Sequence, residues 1–316
     1  MSGRSRLSIY ARLMTLSCLA GLLTPLANAF LADSTGRMAW IIDLASHWQW
    51  LFVIGLIIGV VIAACKQKMW ALALLALPLP WLTVSPLAPA ATQADKNFLV
   101  ASANVHFDNQ DPAPLIEWLT KTQPDIVVLI EISPEYAVAL KNLPGYPHRH
   151  LAPQADPFGI ALLSRHPLRQ IAALRNADGI PHIEAEIDWQ GESINVIGYH
   201  PMPPITPQHH ATRNQELQSF AIRTSQSKQP MIVAGDLNAT PWSSAFHGLD
   251  KRGLRRASGL HPTWPAIGQG IIGIPIDHVL VSAHWSVVES GQGPNLGSDH
   301  QPLLVKISPS GSRQKP

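Results

Sequence analysis

The stretch that decides the fold is "VAGDLNATPWS", residues 233–243. Its apolar residues lead into Gly235 and predict the end of a buried strand, and Thr240-Pro241 predicts the start of a helix. Asp236 and Asn238 therefore lie at a strand end with one residue between them. A carboxylate and a carboxamide placed side by side there indicate a functional site.

The same arrangement recurs along the C-terminal two thirds of the chain. Asn104 follows "FLVASA", Glu131 ends "DIVVLI", and His200 ends "INVIGY". Asp277 precedes "HVLVS", and Asp299-His300 precedes "PLLVKI". One polar residue at a strand end is usually a turn former or a cap, but six such clusters indicate that one sheet edge presents reactive side chains.

The residue types in these clusters point to a metal of a particular kind. They are Asn, Asp, Glu and His, without cysteine. Oxygen ligands suit a hard cation such as Mg²⁺ or Mn²⁺, and Mg²⁺ is normally held by one or two carboxylates. Zinc more often recruits several His or Cys residues at short spacing. The sequence therefore predicts Mg²⁺ or Mn²⁺.

Residues 97–308 alternate between apolar strand patterns and amphipathic helix patterns, which predicts a layered α/β domain. Residues 95–316 contain 17 Lys and Arg and 19 Asp and Glu, a formal net charge of −2. The pI near 8.6 is thus a property of the N-terminal part. The domain has no broad basic surface of the kind that binds nucleic acid. Cys18 and Cys65 both lie before it, so it has no disulfide framework.

The N-terminal region, residues 1–92, contains three apolar stretches, at roughly 8–30, 49–65 and 69–90. Each is about long enough to cross a bilayer, so we predict three transmembrane helices. A signal peptide cleaved after Ala29 and buried core helices of a soluble domain are the alternatives. Basic residues before the first stretch and between the second and third predict cytoplasmic ends. The predicted location is the inner membrane, multi-pass, with the catalytic domain, 93–308, in the periplasm and a flexible tail at 309–316.

Five motifs in order resemble the endonuclease/exonuclease/phosphatase (DNase I-like) superfamily over about residues 97–308. They are "GDLN", "IDHVLVS", "GSDH", "LLSRHPL", and Glu131 after an apolar strand. The N-terminal spans resemble those of membrane-tethered bacterial members. The resemblance implies an α/β fold of four layers, in which two packed mixed β-sheets are flanked by helices, with the site at one edge of the sandwich.

The resemblance also implies roles at the matching positions. Glu131 would be the principal metal ligand, with Asn104 and Asp299 close to the metal. Asp236 would orient or deprotonate the attacking water, and Asn238 would donate a hydrogen bond to a phosphoryl oxygen. The remaining catalytic candidates are His200, Asp277 and His300. His300, oriented by Asp277, would bind phosphate as a cation or act as the base, and His200 would contact phosphate or assist the leaving group. The choice of base, Asp236 or His300, and the number of metal ions stay open.

Three further residues are candidates for supporting or substrate-binding roles. Arg165, in "LLSRHPL", either closes a turn by a structural contact, which we favour, or approaches the substrate. Asn195 is expected to support the site from behind. Trp264, in "HPTWP", either stacks on a substrate ring or anchors its loop.

The predicted function is a membrane-anchored, divalent-metal-dependent phosphoesterase that hydrolyses its substrate by in-line attack of an activated water. A nuclease-like activity is the first expectation, and a phospholipid or sphingolipid phosphodiesterase or phosphatase is the alternative. The expected partners are the bilayer and a phosphate-ester substrate, either nucleic acid or a lipid headgroup, with no obligate protein partner. A catalytically inactive binding module should have lost Glu131, Asp236 or His300, and all three are present. A membrane scaffold whose spans carry the function is disfavoured, because the predicted spans lack the buried acids and bases that intramembrane transport needs.

Overall fold

The structure of the protein is a computed structural model that describes residues 3–31, 34, 36–65, 67–91, 96–270 and 273–310. Within these residues, twelve strands form two six-stranded sheets. In spatial order, the first sheet is β11 (Trp285–Gln292), β12 (Leu303–Pro309), β1 (Phe98–Asn104), β2 (Ile126–Ile130), β4 (Ile160–Ser164) and β3 (His148–Ala152). The second is β5 (Leu168–Arg175), β6 (Pro181–Trp189), β7 (Glu192–Gly198), β8 (Met231–Asp236), β10 (Asp277–Ser282) and β9 (Leu254–Arg256).

Both sheets are mixed. In the first, β1 and β2 are parallel, and in the second, β7 and β8 are parallel, while the other pairs of named strands are antiparallel. The two parallel pairs lie at the centres of their sheets. Most of their residues are apolar and buried, as expected of strands covered on both faces, and the exceptions include Asn104 and Asp236 at the strand ends.

Helices cover the outer face of each sheet, so the domain has four layers. The helices α6 (Ala113–Thr122) and α7 (Pro134–Leu140) pack on the first sheet, and α8 (Pro207–Gln226) packs on the second. Between the sheets lies a core of apolar side chains from both inner faces, such as Val128, Leu162 and Ile232. The predicted α/β sandwich of two packed mixed sheets flanked by helices is confirmed.

The N-terminal part is helical, and its described elements are α1 (Gly3–Leu22), α2 (Thr24–Leu31), α3 (Arg37–Ser46), α4 (Gln49–Ala64), a 3₁₀ helix at Lys68–Ala76 and α5 (Leu79–Thr83). Within the described residues, only Arg6–Leu31 is a helix long and apolar enough to cross a membrane. The helices α3 and α4 would form a second span only if the two were counted as one helix, and they meet at a bend of 70°. By length and composition, the described residues therefore give one span, or two if the bent pair is counted, where the sequence predicts three.

The third predicted stretch, 69–90, fails because of its prolines. A proline supplies no backbone N–H and interrupts a helix, and the helical part of this stretch ends at Thr83. Leu87 and Ala90 instead form isolated bridges with Arg256 and Val287 of the sandwich. Ala88 is buried in the core between the sheets. The end of the predicted span is thus part of the catalytic domain.

The C-terminal strand extends to the start of the predicted tail. Pro309 ends β12, and the Ser310 N–H donates to the carbonyl of His284 at 2.7 Å. Residues 311–316, the rest of the predicted tail, lie outside the described residues.

Candidate active site

Four strand ends meet at one edge of the sandwich. Asn104 ends β1, and Glu131 follows β2 on the neighbouring parallel strand. In the other sheet Asp236 ends β8 and is paired with Asp277, the first residue of β10. The expectation that polar strand ends come together is met because both sheets present these ends to the same edge.

The side chain of Asn104 is the centre of the site. Its Nδ2 donates to Glu131 Oε1 at 2.7 Å and to Asp236 Oδ2 at 3.3 Å, and it lies 3.4 Å from His300 Nε2. Its Oδ1 accepts the backbone N–H of His106 at 3.0 Å. One buried amide thus contacts a side chain on each side of the site and holds them close together.

Glu131 is fixed by two donors and remains partly open to the cleft. Its Oε2 accepts the Phe107 N–H at 3.0 Å, in addition to the Asn104 contact. Its side chain is 15% exposed and its φ is 64°, so a left-handed backbone directs it away from the strand. His106 Nδ1 lies 3.9 Å from Glu131 Oε2 and 3.3 Å from Asp299 Oδ1. His106 was missed in the sequence, although it follows Asn104 by two residues at the same strand end.

Asp277 and His300 form a buried hydrogen-bonded pair. His300 Nδ1 lies 2.8 Å from Asp277 Oδ2, which leaves His300 Nε2 facing Asp236 Oδ2 at 3.7 Å. Burial lowers the pKa of His300, but the carboxylates of Asp277 and Asp236 outweigh burial and raise it to about 10. The imidazole is therefore held as a cation, with one nitrogen on Asp277 and the other toward the cleft.

Asp236 is buried among groups that act on its charge in opposite directions. Burial and the neighbouring Asp277 carboxylate raise its pKa, His300 and His200 lower it, and the result is about 6. Its Oδ1 accepts the N–H of Asn238 at 2.9 Å. A carboxylate with a pKa near neutrality is suited to accept a proton from water.

The Gly-Asp-x-Asn turn has a conformation that glycine alone permits at its first position. Gly235 has φ 146°, and an added Cβ would lie 2.0 Å from the carbonyl oxygen of Tyr199. Asn238 has φ 48°, and its Nδ2 donates to the Pro201 carbonyl at 3.1 Å. Asn238 therefore lines the cleft with one of its two amide N–H bonds engaged by the protein, which leaves the other for the expected hydrogen bond to phosphate.

His200 lies behind Asp236 on the loop that follows β7. Its Nε2 is 3.7 Å from Asp236 Oδ2, and burial lowers its pKa. In the described part of the chain, its Nδ1 is buried without a hydrogen-bond partner. The ring is tilted against Phe158, with the ring centres 5.5 Å apart. The structure thus brings His200 to the site as a neutral imidazole.

The donor set fits a hard divalent cation. The cleft is lined by the carboxylates of Glu131, Asp236 and Asp299, and among the described residues no Lys or Arg side chain lines it. An anionic phosphate is repelled by such a site unless a cation lies between them. Asp236, Asp277 and His300 also offer ligand atoms within 4.8 Å of one another. Asp277 and His300 are buried and already share a hydrogen bond, whereas Glu131 and Asp299 are partly exposed to the cleft, so the latter pair suits the cation better.

Trp264 belongs to the wall of the site. Its Nε1 donates to Asp299 Oδ2 at 3.0 Å, and its ring centre lies 6.5 Å from that of His300. The indole thus positions Asp299, whose side chain is 46% exposed, and presents a ring face to the cleft.

Arg165 and Asn195 both lie away from the site: Arg165 makes the structural contact that we favour, and the expected place of Asn195 behind the site is corrected. Arg165 follows the end of β4 that is remote from Glu131, and its Nη1 donates to the Gln123 carbonyl at 3.0 Å. Asn195 is paired with the first residue of β8 and donates to Gln229 Oε1 at 2.8 Å. Both residues close turns at the far edge of the sandwich.

A buried polar network, which no motif in the sequence predicts, joins the N-terminal helices to the loop after Asn238. Asp43 of α3 lies 2.7 Å from Arg213 Nη2, and both side chains are fully buried. Arg213 Nη1 donates to the Asn238 carbonyl at 2.6 Å. His47 Nδ1 accepts the N–H of Thr240 at 3.1 Å. The loop that carries Asn238 is therefore held from behind by residues of the N-terminal region.

Comparisons with known proteins agree with this architecture. Residues 101–300 match the Endonuclease/Exonuclease/phosphatase family. Among curated proteins, no sequence matches the chain.

Several solved structures are similar to the chain. An endonuclease/exonuclease/phosphatase from Beutenbergia cavernae DSM 12333 has a TM-score of 0.57 at 18% identity, covering 69% of this chain and 72% of its own. The human Nocturnin catalytic domain with bound sulfate has a TM-score of 0.53 at 20% identity, covering 68% and 94%. D. rerio TDP2 complexed with single-strand DNA product has a TM-score of 0.55 at 15% identity, covering 68% and 100%. At these identities the likeness shows the fold.

Proposed function

Because the chain belongs to the endonuclease/exonuclease/phosphatase family, whose members hydrolyse phosphate esters, we propose that it is a membrane-associated, divalent-metal-dependent phosphoesterase. One observation carries the proposal. A single amide, Asn104, contacts a carboxylate suited to a metal, a carboxylate with a near-neutral pKa, and the histidine of a buried Asp–His pair. Hydrolysis of a phosphate ester needs these three functions: charge neutralisation, a base and a phosphate-binding cation.

The proposed metal site consists of Glu131 and Asp299, with Asn104 and His106 holding them in place. A bound Mg²⁺ or Mn²⁺ would supply positive charge to the phosphoryl oxygens. Asn104 fixes the Glu131 carboxylate through Nδ2, and Trp264 fixes that of Asp299 through Nε1. The protein thus provides oriented carboxylate oxygens at the rim of a cleft that is otherwise apolar or histidine-lined.

We assign the base to Asp236 and the phosphate-binding cation to His300. In the assigned reaction a water oxygen attacks phosphorus and the bond to the leaving oxygen breaks. The water proton passes to Asp236, and the leaving oxygen takes up a proton from solvent water. His300 is less suited to the role of base because Asp277 binds its Nδ1 and stabilises the charged ring. Asn238 shapes this site through its backbone N–H, which binds Asp236 Oδ1.

The test of this activity uses the full chain in detergent with Mg²⁺, Mn²⁺ or EDTA. The substrates are bis(4-nitrophenyl) phosphate, plasmid DNA, single-stranded RNA, bacterial phospholipids, sphingomyelin and inositol phosphates. We expect metal-dependent turnover that falls at least about 100-fold in Glu131→Gln. The matched control is Glu117→Gln, an exposed glutamate on α6, which should behave as the unmodified protein. Titration with Mn²⁺ gives a readout independent of turnover. Folded protein that neither binds Mn²⁺ nor hydrolyses any substrate would contradict the proposal.

The surfaces of the N-terminal helices support membrane association. Large apolar side chains are exposed along α1, α4 and the 3₁₀ helix; examples are Leu13, Ile54, Val61 and Leu75. Contiguous exposed apolar surface is unfavourable in water and marks contact with a membrane or a partner. α1 and α4 pack in antiparallel orientation, since Gly59 faces Thr15 and Gly21 faces Phe52. We therefore include the anchor in the proposal and place it in the bilayer.

The proposed orientation puts the catalytic domain on the periplasmic side of the inner membrane. α2 and α3 contact the domain through Asn28 and Asp43, so the basic start of α1, at Arg6, lies at the opposite end. Basic ends favour the cytoplasm.

Cysteine labelling tests this orientation, because Cys65 is exposed at the end of α4. In spheroplasts, a membrane-impermeant maleimide should spare Cys65. It should label Ser225→Cys, on α8, in a background that carries Cys65→Ser. The reverse labelling pattern would refute the orientation.

A further inference from the structure

The catalytic residues share a cleft whose remaining walls are mostly apolar, with His47 beside Leu44 and Trp48 as a polar exception. The cleft has a volume of about 670 Å³, within the range of small-molecule sites. We call its apolar part the side groove; it is lined by Leu44, Trp48, Phe158, Met202, Ile205 and Ile276. The side groove and the catalytic carboxylates belong to one continuous space, so a ligand bound at His300 extends into apolar surroundings.

One wall of the side groove comes from the N-terminal region. Leu44 lies on α3, and Trp48 lies at the bend between α3 and α4. Trp40, also on α3, donates its Nε1 to the Pro204 carbonyl at 2.7 Å, which fixes this wall to the opposite loop. The groove is therefore formed in the protein before any ligand binds, and the element that forms it continues directly into α4.

The charge of the cleft disfavours a polyanion. Proteins that bind nucleic acid neutralise several phosphates with Lys and Arg, and these contacts supply most of the affinity. Among the described residues, no Lys or Arg lines this cleft, and its carboxylates, such as Glu131 and Asp299, leave room for one metal-neutralised phosphate. A second phosphate along the side groove would meet only apolar side chains. The ligand that fits has one phosphate group beside a hydrocarbon part.

We infer that the substrate is an amphiphilic phosphate ester, a membrane lipid whose phosphate lies at Glu131 and His300 and whose hydrocarbon chain lies in the side groove. This inference rests on the proposed function. Ile205 and Trp48 are 67% and 36% exposed, so the apolar residues at the mouth of the groove are accessible. α4 exposes Ile54 and Ile58 beyond this mouth. A lipid in the bilayer around α4 reaches the groove without exposing its chain to water, which an aqueous path would penalise.

The test is a series of 4-nitrophenyl alkyl phosphates with one to twelve carbons in the alkyl chain, hydrolysed by the full chain in phospholipid nanodiscs. Each fully buried methylene contributes up to about fourfold in kcat/KM, so the logarithm of kcat/KM should rise with chain length. Ile205→Asn and Met202→Gln, in the side groove, should flatten this slope. The control is Ile222→Asn, which replaces an exposed isoleucine near the C-terminal end of α8, away from the side groove. This variant should keep the slope of the unmodified protein. Since the substrate partitions into the nanodisc equally in every assay, a flatter slope in the groove variants then reports the loss of binding in the groove.

The outcomes separate the inference from the proposed function. Metal-dependent turnover of the methyl ester with no dependence on chain length would overturn the inference alone. So would hydrolysis of a labelled single-stranded oligonucleotide at a higher kcat/KM than the dodecyl ester. The slope could also be preserved in all three variants, Ile205→Asn, Met202→Gln and Ile222→Asn. It would then reflect only the partition of the substrate into the nanodisc, and the side groove would be overturned as the binding site. Absence of metal-dependent turnover of every substrate, by folded protein, would overturn the proposed function and the inference with it.

Discussion

Replacing Asp43 by asparagine should weaken both the docking of the N-terminal region and the active-site loop. Asp43 Oδ2 lies 2.7 Å from Arg213 Nη2, and neither side chain is exposed. Asp43 Oδ1 also accepts the Ser244 N–H at 2.6 Å and the hydroxyl of Ser243 at 2.8 Å. The substitution leaves the Arg213 guanidinium buried without its counter-charge. Breaking a buried pair in this way costs about 3–5 kcal/mol, and we expect a loss of that size in the free energy of unfolding.

The same change should lower turnover, because Arg213 also holds the loop at Asn238. Its Nη1 donates to the Asn238 carbonyl at 2.6 Å, and a guanidinium without its partner no longer fixes that carbonyl. Misplacement of a catalytic loop by about 1 Å costs on the order of 100-fold in rate. We expect kcat/KM for bis(4-nitrophenyl) phosphate to fall about 10- to 100-fold.

Urea denaturation followed by tryptophan fluorescence and steady-state kinetics measure the two effects. Asp111→Asn, at an exposed aspartate, is the matched control for the loss of one carboxylate. A double-mutant cycle with Arg213→Met should show that the double variant loses less stability than the sum of the two single variants, because the pair is then removed together. A loss of less than 1 kcal/mol in Asp43→Asn, or full additivity in the cycle, would refute the reasoning.

Three further changes have expected outcomes of a definite size. Asp277→Asn removes the carboxylate that orients the catalytic imidazole at 2.8 Å, and kcat should fall about 10²- to 10⁴-fold. Because the pair is buried, the variant should also lose stability. A fall in kcat of less than tenfold in steady-state assays would contradict the orienting role of Asp277. Gly235→Ala puts a Cβ 2.0 Å from a backbone oxygen and should lower the free energy of unfolding, measured in urea, by about 2–3 kcal/mol. The control is Gly291→Ala, where an added Cβ meets open space and stability should not change. Equal stability of the two variants would contradict the steric argument. Burial lowers the pKa of His278 to about 4. Between pH 6.5 and pH 4, His278 is therefore protonated in the unfolded chain but neutral in the folded protein. The free energy of unfolding falls as the pH falls through this range, by about 2 kcal/mol at pH 5. The loss of stability from pH 7 to pH 5 should shrink by that amount in His278→Gln, and an unchanged pH dependence contradicts the assignment.

The sandwich and the central residues of the site were predictable because their signals are local. The strands that lead to Asn104 and Glu131 can each be predicted from a few consecutive residues, because an apolar run is followed directly by the polar residue at its end. Gly235 and Asp236 combine a required backbone conformation with a reactive side chain in two adjacent positions. Sheet topology then brings such ends to one edge, which is why most of the predicted site residues lie close together in the structure.

The predictions that failed depend on where a residue lies along its strand, or on where prolines interrupt a helix. Asn195 has the right residue type in the right strand, but it lies in the middle of β7, level with the first residue of β8, which residue type does not reveal. The stretch 69–90 has the composition of a span, and its prolines instead end the helical part at Thr83. Asn195 and the interrupted stretch both show that composition does not fix where a side chain lies in space.

The contacts that the sequence could not reveal join residues that are far apart in the chain. Asp43 and Arg213 are separated by 170 residues, and each looks like an ordinary helix residue in its own surroundings. The same helix, α3, supplies Leu44 to the wall of the cleft and Asp43 to the loop behind Asn238. A tether that only held the enzyme at a surface would need neither contact. Since a buried ion pair is costly to form and costly to break, its presence on α3 argues that the N-terminal region is a structural part of the site. The proposed membrane anchor and the chemistry are then joined through one helix, which places the reacting phosphate at a fixed distance from α4.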